Sequence, residues 1–572
     1  METRPSDSMG NGWVMVKKII NNIVGHPVIA LSVIILCTYL VYSNTFTNEF
    51  CVDDDLFILD WPLIQDPANF LQFFGPENQP KGEEGVYSPL KTCFHALNYF
   101  LWGKSPFGYH FIALLIHLTG VFFVYQISYL LIPQRTVAFL CGLLFGLHPV
   151  HVEAITFLTA SIDTLGVVFL FISFYFYIRS QKEAVLSRTF YAYSIVFAFL
   201  AIFTHELTIV LPFLFLVYDI CFHRQKTFLR KIILRISPYF ILSIIYVGLK
   251  SLVLGSIARG TYLYGSFYLT MLVIIKAWAK YVLICFFPLK LSLNHLISPG
   301  IFSVDLQYFD PQAVLSQSVY DTQVLMSLLL TGMVIYFAIR MRKRNPLITF
   351  CISWFYICLL PVSNIVPSEC YFAERYLYSG TLSFCLLLAC SASWICHYHG
   401  LHQQILKRMG ALLIISVVVF YSVRTIRRNA DWKNEKALYE SEVRANPQHP
   451  VMHRDLGIIY LREGKNLEAL SELDQATDIM NTDGDTHFAL GEVHSQLNNY
   501  RAAKDSYLKA VVINPDFAEA YYNLAEVYNR LGMREESKTS LSRSIELFSR
   551  QGRQDEAFVA REVFKKYFGR SR

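Results

Sequence analysis

Between residues 27 and 423 the sequence is a succession of apolar blocks. Most are long enough to cross a bilayer as an α-helix, which takes about 17–25 residues. Only 16% of the residues are charged, whereas a soluble protein carries about 25%. From residue 424 onward the blocks stop and charged residues become frequent. The pattern predicts a multi-pass membrane protein with a soluble C-terminal part. The net charge of +6 is assigned to loops on one side of the membrane, so no nucleic-acid partner is predicted.

About eleven spans are predicted in an all-α helix bundle. They cover 27–43, 108–132, 136–150, 162–178, 189–204, 207–222, 236–254, 324–339, 347–364, 377–396 and 409–423. Lys and Arg concentrate in alternate short loops, so the positive-inside rule places those loops and residues 1–26 in the cytoplasm, and loop 44–107 and the C-terminal part on the other side. The segment 269–287 disturbs this alternation and is predicted to be re-entrant or interfacial, with Lys276 and Lys280 one turn apart on a basic face.

The C-terminal part repeats itself with a period of 34 residues. The matching pairs are Leu456-Gly457, Leu490-Gly491 and Leu524-Ala525. This period indicates tetratricopeptide repeats, whose stacked helix pairs form a concave groove for extended peptides or partner proteins. A dimerisation or stabilising module is the alternative. The predicted domains are a cytoplasmic N-terminus (1–26), a membrane domain (27–423), a linker helix (424–449), and repeats with a capping helix (450–572).

Three consecutive carboxylates, Asp53, Asp54 and Asp55, follow the first span in the stretch FCVDDDLFILD. A carboxylate at the membrane surface can deprotonate an acceptor hydroxyl or hold a metal ion. The same acids can also cap a helix or act as a hydrophilic stop signal. Acids and histidines also collect in the other outer loops, where charge near the membrane tends to mark function. In the same loop, Cys51 and Cys93 form a disulfide only if their Cα atoms lie close enough.

The chain resembles the GT-C class of membrane glycosyltransferases. Within that class it is most similar to the transmembrane O-mannosyltransferases with tetratricopeptide repeats and their prokaryotic relatives. The motifs that carry the resemblance are, in chain order, FCVDDDLFILDWPLI, LNYFLWGKSPFGYHFIALLIH, LFGLHPVHVEAI, AERYLY and RRNADW. The resemblance implies an enzyme that transfers a hexose, in particular mannose, from a polyprenyl-phosphate donor to a protein hydroxyl outside the cytoplasm, with inversion. The membrane would be the endoplasmic reticulum in a eukaryote and the plasma membrane in a prokaryote.

The resemblance also implies roles for individual residues. Asp54 is predicted to be the general base and Asp53 to orient the acceptor, and Asp55 can exchange with either. The donor phosphate is assigned to Arg375, His205, Lys276 and Lys280, because basic side chains bind phosphate. The remaining cavity-lining residues are Asp55, His148, His151, Glu153, Asp163, Glu206 and Glu374. No cofactor is firmly implied. Asp53 and Asp54 could instead hold a divalent metal ion, and His148, His151 and Glu153 could form a metal cluster.

Three positions depart from the family pattern. Ser88 stands where relatives often have the arginine of Tyr-Arg-Pro, Ile162 stands where they often have an arginine, and His205 stands where they often have a lysine. Lys91, Lys276 or Lys280 is expected to compensate. If none does, the alternative is a catalytically weakened membrane scaffold that binds partners through its repeats. A lipid-linked glycan ligase is the enzymatic alternative, and a transporter fits poorly because no inverted repeat is visible.

Overall fold

The structure is a computed structural model that describes residues 22–76, 85–222, 228–298, 301–303, 318–368, 370–396 and 403–569. These residues are almost entirely helical. They divide into two compact units, with the boundary between Asn434 and Glu435. The all-α prediction is confirmed.

The first unit contains fifteen described α-helices and one two-stranded hairpin. The helices are α1 Pro27–Tyr42, α2 Pro62–Gln65, α3 Pro89–Trp102, α4 Pro106–Leu131, α5 Arg135–Leu147, α6 Val152–Thr156, α7 Leu158–Lys182, α8 Ser187–Thr204, α9 Leu211–Phe222, α10 Phe228–Leu254, α11 Phe267–Phe286, α12 Thr322–Met341, α13 Pro346–Leu359, α14 Thr381–Cys396 and α15 Gln403–Asp431. The antiparallel strands are β1 Leu296–Ser298 and β2 Ile301–Phe302. Short 3₁₀ turns occur at Ser43–Thr47, Pro67–Phe74, Pro149–His151, Glu206–Val210, Leu263–Gly265 and Glu374–Leu377, and a π-helical turn at Asp55–Leu59.

Within the described residues, eight helices are long and apolar enough to cross a membrane. The pair 135–147 and 149–156 would be a ninth span, but it is bent by 48°. The eleven predicted segments are all helical, but α9, α13 and α14 are shorter than a full span. The segment 269–287, predicted to be re-entrant or interfacial, lies, apart from its last residue, in the continuous 20-residue α11, which has no re-entrant break and is long and apolar enough to cross a membrane. The broken helix lies at residues 135–156, where Pro149 interrupts the chain.

Close helix packing builds the centre of this unit around α5. Gly146 of α5 faces α1, and a Cβ at this position would lie 2.3 Å from the hydroxyl of Thr38. A glycine is therefore required for the two helices to approach this closely. Cys51 and Cys93, the pair considered for a disulfide, are both free thiols.

The second unit consists of helix pairs, as the 34-residue period predicts. Its helices are α16 Glu435–Ala445, α17 Pro450–Arg462, α18 Asn466–Ile479, α19 Gly484–Gln496, α20 Tyr500–Ile513, α21 Ala518–Arg530, α22 Arg534–Arg550 and α23 Gln554–Phe568. Repeat-equivalent small and apolar residues such as Ala503 and Leu524 form the core between the pairs. The predicted linker helix 424–449 is two helices, because α15 continues to Asp431 and α16 starts at Glu435.

Candidate functional site

The three carboxylates of the acidic turn, residues 53–55 after α1, differ in their exposure to solvent. Val52 has a φ of +56°, a left-handed conformation that is an outlier for a β-branched residue and costs roughly 1–3 kcal/mol. The π-helical turn Asp55–Leu59 follows at once, and such turns are frequent at functional sites. Asp53 and Asp55 are exposed, whereas Asp54 is only 1% exposed. One strained turn therefore sends neighbouring acids in different directions.

Asp54 is held by hydrogen bonds on both carboxylate oxygens. Its Oδ1 accepts from the backbone N–H and the hydroxyl of Thr159, at 2.8 and 2.7 Å, and its Oδ2 accepts from the Cys51 N–H at 3.2 Å. Thr159 lies in the first turn of α7, where the helix dipole favours a negative charge. Burial, partly offset by these hydrogen bonds, raises the pKa of Asp54 to about 7. Asp54, the residue predicted to be the general base, is thus buried and bonded to the first turn of α7, whereas Asp53 is exposed to solvent.

Asn429, in the RRNADW segment, ties the acidic turn to its surroundings. Its side chain is fully buried. Its amide nitrogen donates to the Val41 carbonyl at 3.2 Å and to Asn44 Oδ1 at 3.0 Å, and its Oδ1 accepts from the Thr156 hydroxyl at 3.1 Å. Its backbone carbonyl accepts from the Asn48 side chain at 3.0 Å. One residue therefore joins the end of α1, the chain entering the acidic turn and the chain entering α7.

The residues after Asn429 add a second set of contacts to the same turn. The Trp432 ring stacks on the Phe157 ring at 5.5 Å between centroids. The backbone carbonyl of Trp432 accepts a hydrogen bond from the Cys51 thiol at 3.7 Å. The Glu49 N–H donates to the Lys433 carbonyl at 2.9 Å. The sequence identifies RRNADW only as a family motif, because its role in supporting the acidic turn depends on long-range contacts.

Lys91, Asp163 and His205 form an ionic cluster. Lys91 Nζ lies 3.3 Å from Asp163 Oδ2, and His205 Nδ1 lies 3.2 Å from Asp163 Oδ1. Lys91 is one helical turn after Ser88, so it places a cation close to the first of the three positions that depart from the predicted family pattern. Gly166, one turn after Asp163, makes room for this arrangement, since a Cβ there would lie 2.4 Å from that of His205.

Glu206 lies at the centre of a second ionic cluster. Its carboxylate is 2.8 Å from Lys250 Nζ and 2.6 Å from Arg259 Nε, and it accepts from the Tyr246 hydroxyl at 3.3 Å. Burial opposes ionisation, but the two cations hold the pKa of Glu206 below its usual value. Lys250 and Arg259 were not predicted as site residues. A lysine inside the predicted span 236–254 was the available signal, because charge at membrane depth is costly.

Arg375 and His205, two of the predicted phosphate ligands, line one small cavity together with Tyr376. Arg375 forms an ion pair with Glu153, and its backbone N–H donates to the same carboxylate at 3.2 Å. The Arg375 side chain is 25% exposed and that of Glu153 is 1% exposed. The cavity measures about 20 Å³, room for about one water molecule. A phosphate group therefore requires the cavity walls to move.

Lys276 and Lys280, the other two predicted phosphate ligands, contact the β1–β2 hairpin. Lys276 donates to the Ser298 hydroxyl at 3.0 Å, and Lys280 donates to the Leu296 carbonyl at 2.7 Å. Both residues lie on α11 and are one turn apart, as their spacing predicts. The structure therefore gives them a hairpin-supporting position.

The predicted cavity-lining residues His148, His151 and Glu374 are fully buried. His148 donates to a carbonyl of α11 at 3.1 Å, and His151 hydrogen-bonds the Thr381 hydroxyl at 2.6 Å. Glu374 pairs with His295 at 2.7 Å. Packed helices enclose these groups. No group of three or more His, Cys, Asp or Glu side chains among the described residues is arranged to hold a metal ion.

The membrane and repeat parts are both similar to known proteins. Over 517 residues the chain is 24% identical to the protein O-mannosyl-transferase Tmtc3 of Drosophila melanogaster, covering 79% of this chain and 54% of that protein. Over 531 residues it is 23% identical to the protein O-mannosyl-transferase TMTC3 of Homo sapiens, covering 83% and 54%. The resemblance predicted from the motifs is confirmed. The chain spans about half the length of these curated relatives.

Two family models match in the C-terminal unit, a TPR repeat at residues 495–532 and a tetratricopeptide repeat at residues 518–551. They confirm the predicted repeats. Among solved structures, the chain is similar to the Archaeoglobus fulgidus oligosaccharyltransferase, with a TM-score of 0.36 and 12% identity, covering 70% of this chain and 55% of that one. It is also similar to MamA, with a TM-score of 0.20 and 21% identity, covering 25% and 85%.

Proposed function

We propose that this chain is a GT-C type membrane glycosyltransferase that transfers a hexose, in particular mannose, from a polyprenyl-phosphate donor to a protein hydroxyl on the extracytoplasmic side of the membrane. The observation that carries the proposal is the exposed carboxylate of Asp53 on a strained and firmly supported turn. Similarity to proteins named O-mannosyl-transferases supports the choice of sugar and of a protein acceptor. The repeats are proposed to engage that acceptor.

We assign the general base to Asp53 in place of Asp54. Asp53 is exposed, whereas both oxygens of Asp54 already accept hydrogen bonds. The Asp53 carboxylate takes the proton of the acceptor hydroxyl while the hydroxyl oxygen attacks C1 of the sugar. The bond from C1 to the phosphate oxygen breaks, its electron pair leaves with the phosphate, and C1 is inverted by attack from the opposite face. Asp54 is a positioning residue in this scheme.

The negative charge of the leaving phosphate needs cationic partners. Arg375 and His205 share a cavity, and Lys91 adjoins His205 through Asp163. A guanidinium can bind phosphate with two parallel hydrogen bonds. Arg375 and Lys91 are paired with carboxylates, and the His205 imidazole lies against Asp163, so donor binding exchanges these contacts for contacts with phosphate.

The same ion pairing favours the alternative, a membrane scaffold with weakened catalysis. The two functions are separated by turnover. The full chain is placed in nanodiscs with a radiolabelled dolichyl- or undecaprenyl-phosphate hexose, and release or transfer of the sugar is measured. We expect Asp53→Asn to lower turnover by about 10²–10⁴-fold, the usual contribution of a general base. Asp55→Asn, an equal change of charge at an exposed neighbour, is the matched control and should retain turnover.

Loss of turnover in Asp55→Asn with retention in Asp53→Asn would reassign the base within the same function. Absence of turnover and of binding with either carrier would overturn the glycosyltransferase and favour the scaffold.

A further inference from the structure

The repeat unit contains a pocket of about 300 Å³. Helices α19, α20 and α21 contribute to it. Its lining includes Glu492, Tyr500, Tyr507, Asn523, Glu526 and Arg530. Most of its lining lies on α19 and α21, the first helices of two neighbouring pairs, and stacked helix pairs form extended surfaces that bind partners.

Two of the lining acids are repeat equivalents. Glu492 and Glu526 are 34 residues apart, one repeat period, and therefore occupy the same position on neighbouring first helices. Glu492 is half-buried, and Arg462 is a nearby cation that favours its ionised form. Burial raises the pKa of Glu492 above its usual value. Glu526 is exposed and lies 4.0 Å from the Arg530 guanidinium.

Aromatic and amide groups form the rest of the wall. Tyr507 is 1% exposed, and its hydroxyl accepts from the Asn523 amide at 3.4 Å, which fixes the ring. Tyr500 presents a second ring at the pocket. Two carboxylates beside aromatic rings suit a cationic side chain, which gains charge-assisted hydrogen bonds and ring contacts in the same place.

We propose that this pocket binds an arginine or lysine side chain of an extended protein segment. The peptide backbone would lie along the groove, and the basic side chain would reach between Glu492 and Glu526. The arginine form fits best, because a guanidinium can bond to two carboxylates at once. That the segment belongs to the glycosylated acceptor rests on the proposed function, whereas the binding itself does not.

The test uses the full chain in nanodiscs and a fluorescent, unstructured peptide of Gly, Ser and Thr with arginine at regular intervals. A twin peptide carries glutamine in place of arginine, and empty nanodiscs correct for adsorption to lipid. Fluorescence anisotropy at fixed salt gives the affinity. We expect the arginine peptide to bind at least about tenfold more tightly than its twin, and Glu492→Gln and Glu526→Gln each to reduce that preference several-fold.

Glu536→Gln is the matched control, since Glu536 is an exposed acid on α22 outside the pocket, and it should leave the preference unchanged. Equal affinity for the two peptides, or a preference that survives in both pocket variants, would overturn the proposal. Sugar release from the lipid donor is measured on the same samples. Equal affinity of the unmodified chain for the two peptides, with sugar release intact, would refute the pocket and leave the proposed function standing.

Discussion

Replacing Asn429 by alanine should release the acidic turn from its support. The side chain makes three hydrogen bonds, to the Val41 carbonyl, the Asn44 side chain and the Thr156 hydroxyl. Each is worth about 1 kcal/mol net, so local opening of the turn should become easier by about 3 kcal/mol. Since 1.4 kcal/mol is a factor of ten, the open population should rise by about a hundredfold.

The Cys51 thiol reports this opening directly. It is 3% exposed and donates to the Trp432 carbonyl, so alkylation requires the turn to open. The rate of maleimide labelling at Cys51 is measured by mass spectrometry in detergent, with the partly buried Cys93 as an internal reference. In Asn429→Ala we expect labelling of Cys51 to be about a hundredfold faster, with the reference rate unchanged.

Two further variants complete this test. Asn429→Asp keeps the oxygen that accepts from Thr156 but turns a buried carboxylate oxygen toward two acceptors, the Val41 carbonyl and Asn44 Oδ1. It should therefore increase Cys51 labelling at least as much as Asn429→Ala does. Asn345→Ala removes an exposed asparagine that makes no capping hydrogen bond and should not change Cys51 labelling. A folded Asn429→Ala protein in which Cys51 stays protected would refute the supporting role of this residue.

Three other variants test neighbouring groups. Burial raises the pKa of Asp54 to about 7 in the folded protein, above its unfolded value of about 3.9. The folded state therefore binds the proton more tightly, and the free energy of unfolding should fall as pH rises from about 4 to about 7. Asp54→Asn should flatten that part of the profile of melting temperature against pH, and an unchanged slope would contradict the burial of this carboxyl group. Lys91→Met removes an ammonium group from Asp163 and leaves the His205 imidazole beside it. It should raise the donor KM about tenfold with little change in kcat, and a fall in kcat alone would contradict a role in binding. Arg375→Lys removes the two-pronged contact with phosphate and should weaken donor binding by about 10–100-fold, which titration with the lipid donor measures; equal affinity would exclude Arg375 from the phosphate site.

Repetitive features of this fold could be predicted from the sequence. The apolar blocks give the helices of the membrane unit because bilayer thickness fixes their length, and the 34-residue period gives the repeats because each helix pair packs on its neighbours. The boundaries and breaks of individual helices were less predictable. The break at Pro149 and the continuous α11 depend on which neighbouring helices cover each segment, and that information is not contained in local hydropathy.

The environments of the site residues could not be predicted. Asp53 and Asp54 are chemically identical neighbours, and their separation depends on the left-handed Val52 and on the N-terminus of α7, which lies about a hundred residues away in the chain. The partnership of Arg259 with Glu206 is likewise a long-range contact. Such pairings arise from packing, so a motif identifies the residues without showing which of them is exposed.

The most direct test is a cryo-EM map of the full chain in nanodiscs with a slowly reacting polyprenyl-phosphonate analogue of the sugar donor. We predict density for the phosphonate beside Arg375 and His205, with C1 of the sugar facing the Asp53 carboxylate and Asp54 still bonded to Thr159. A phosphonate bound beside Lys276 and Lys280, or a sugar that contacts Asp54 instead of Asp53, would contradict the assignment of the base and of the phosphate site.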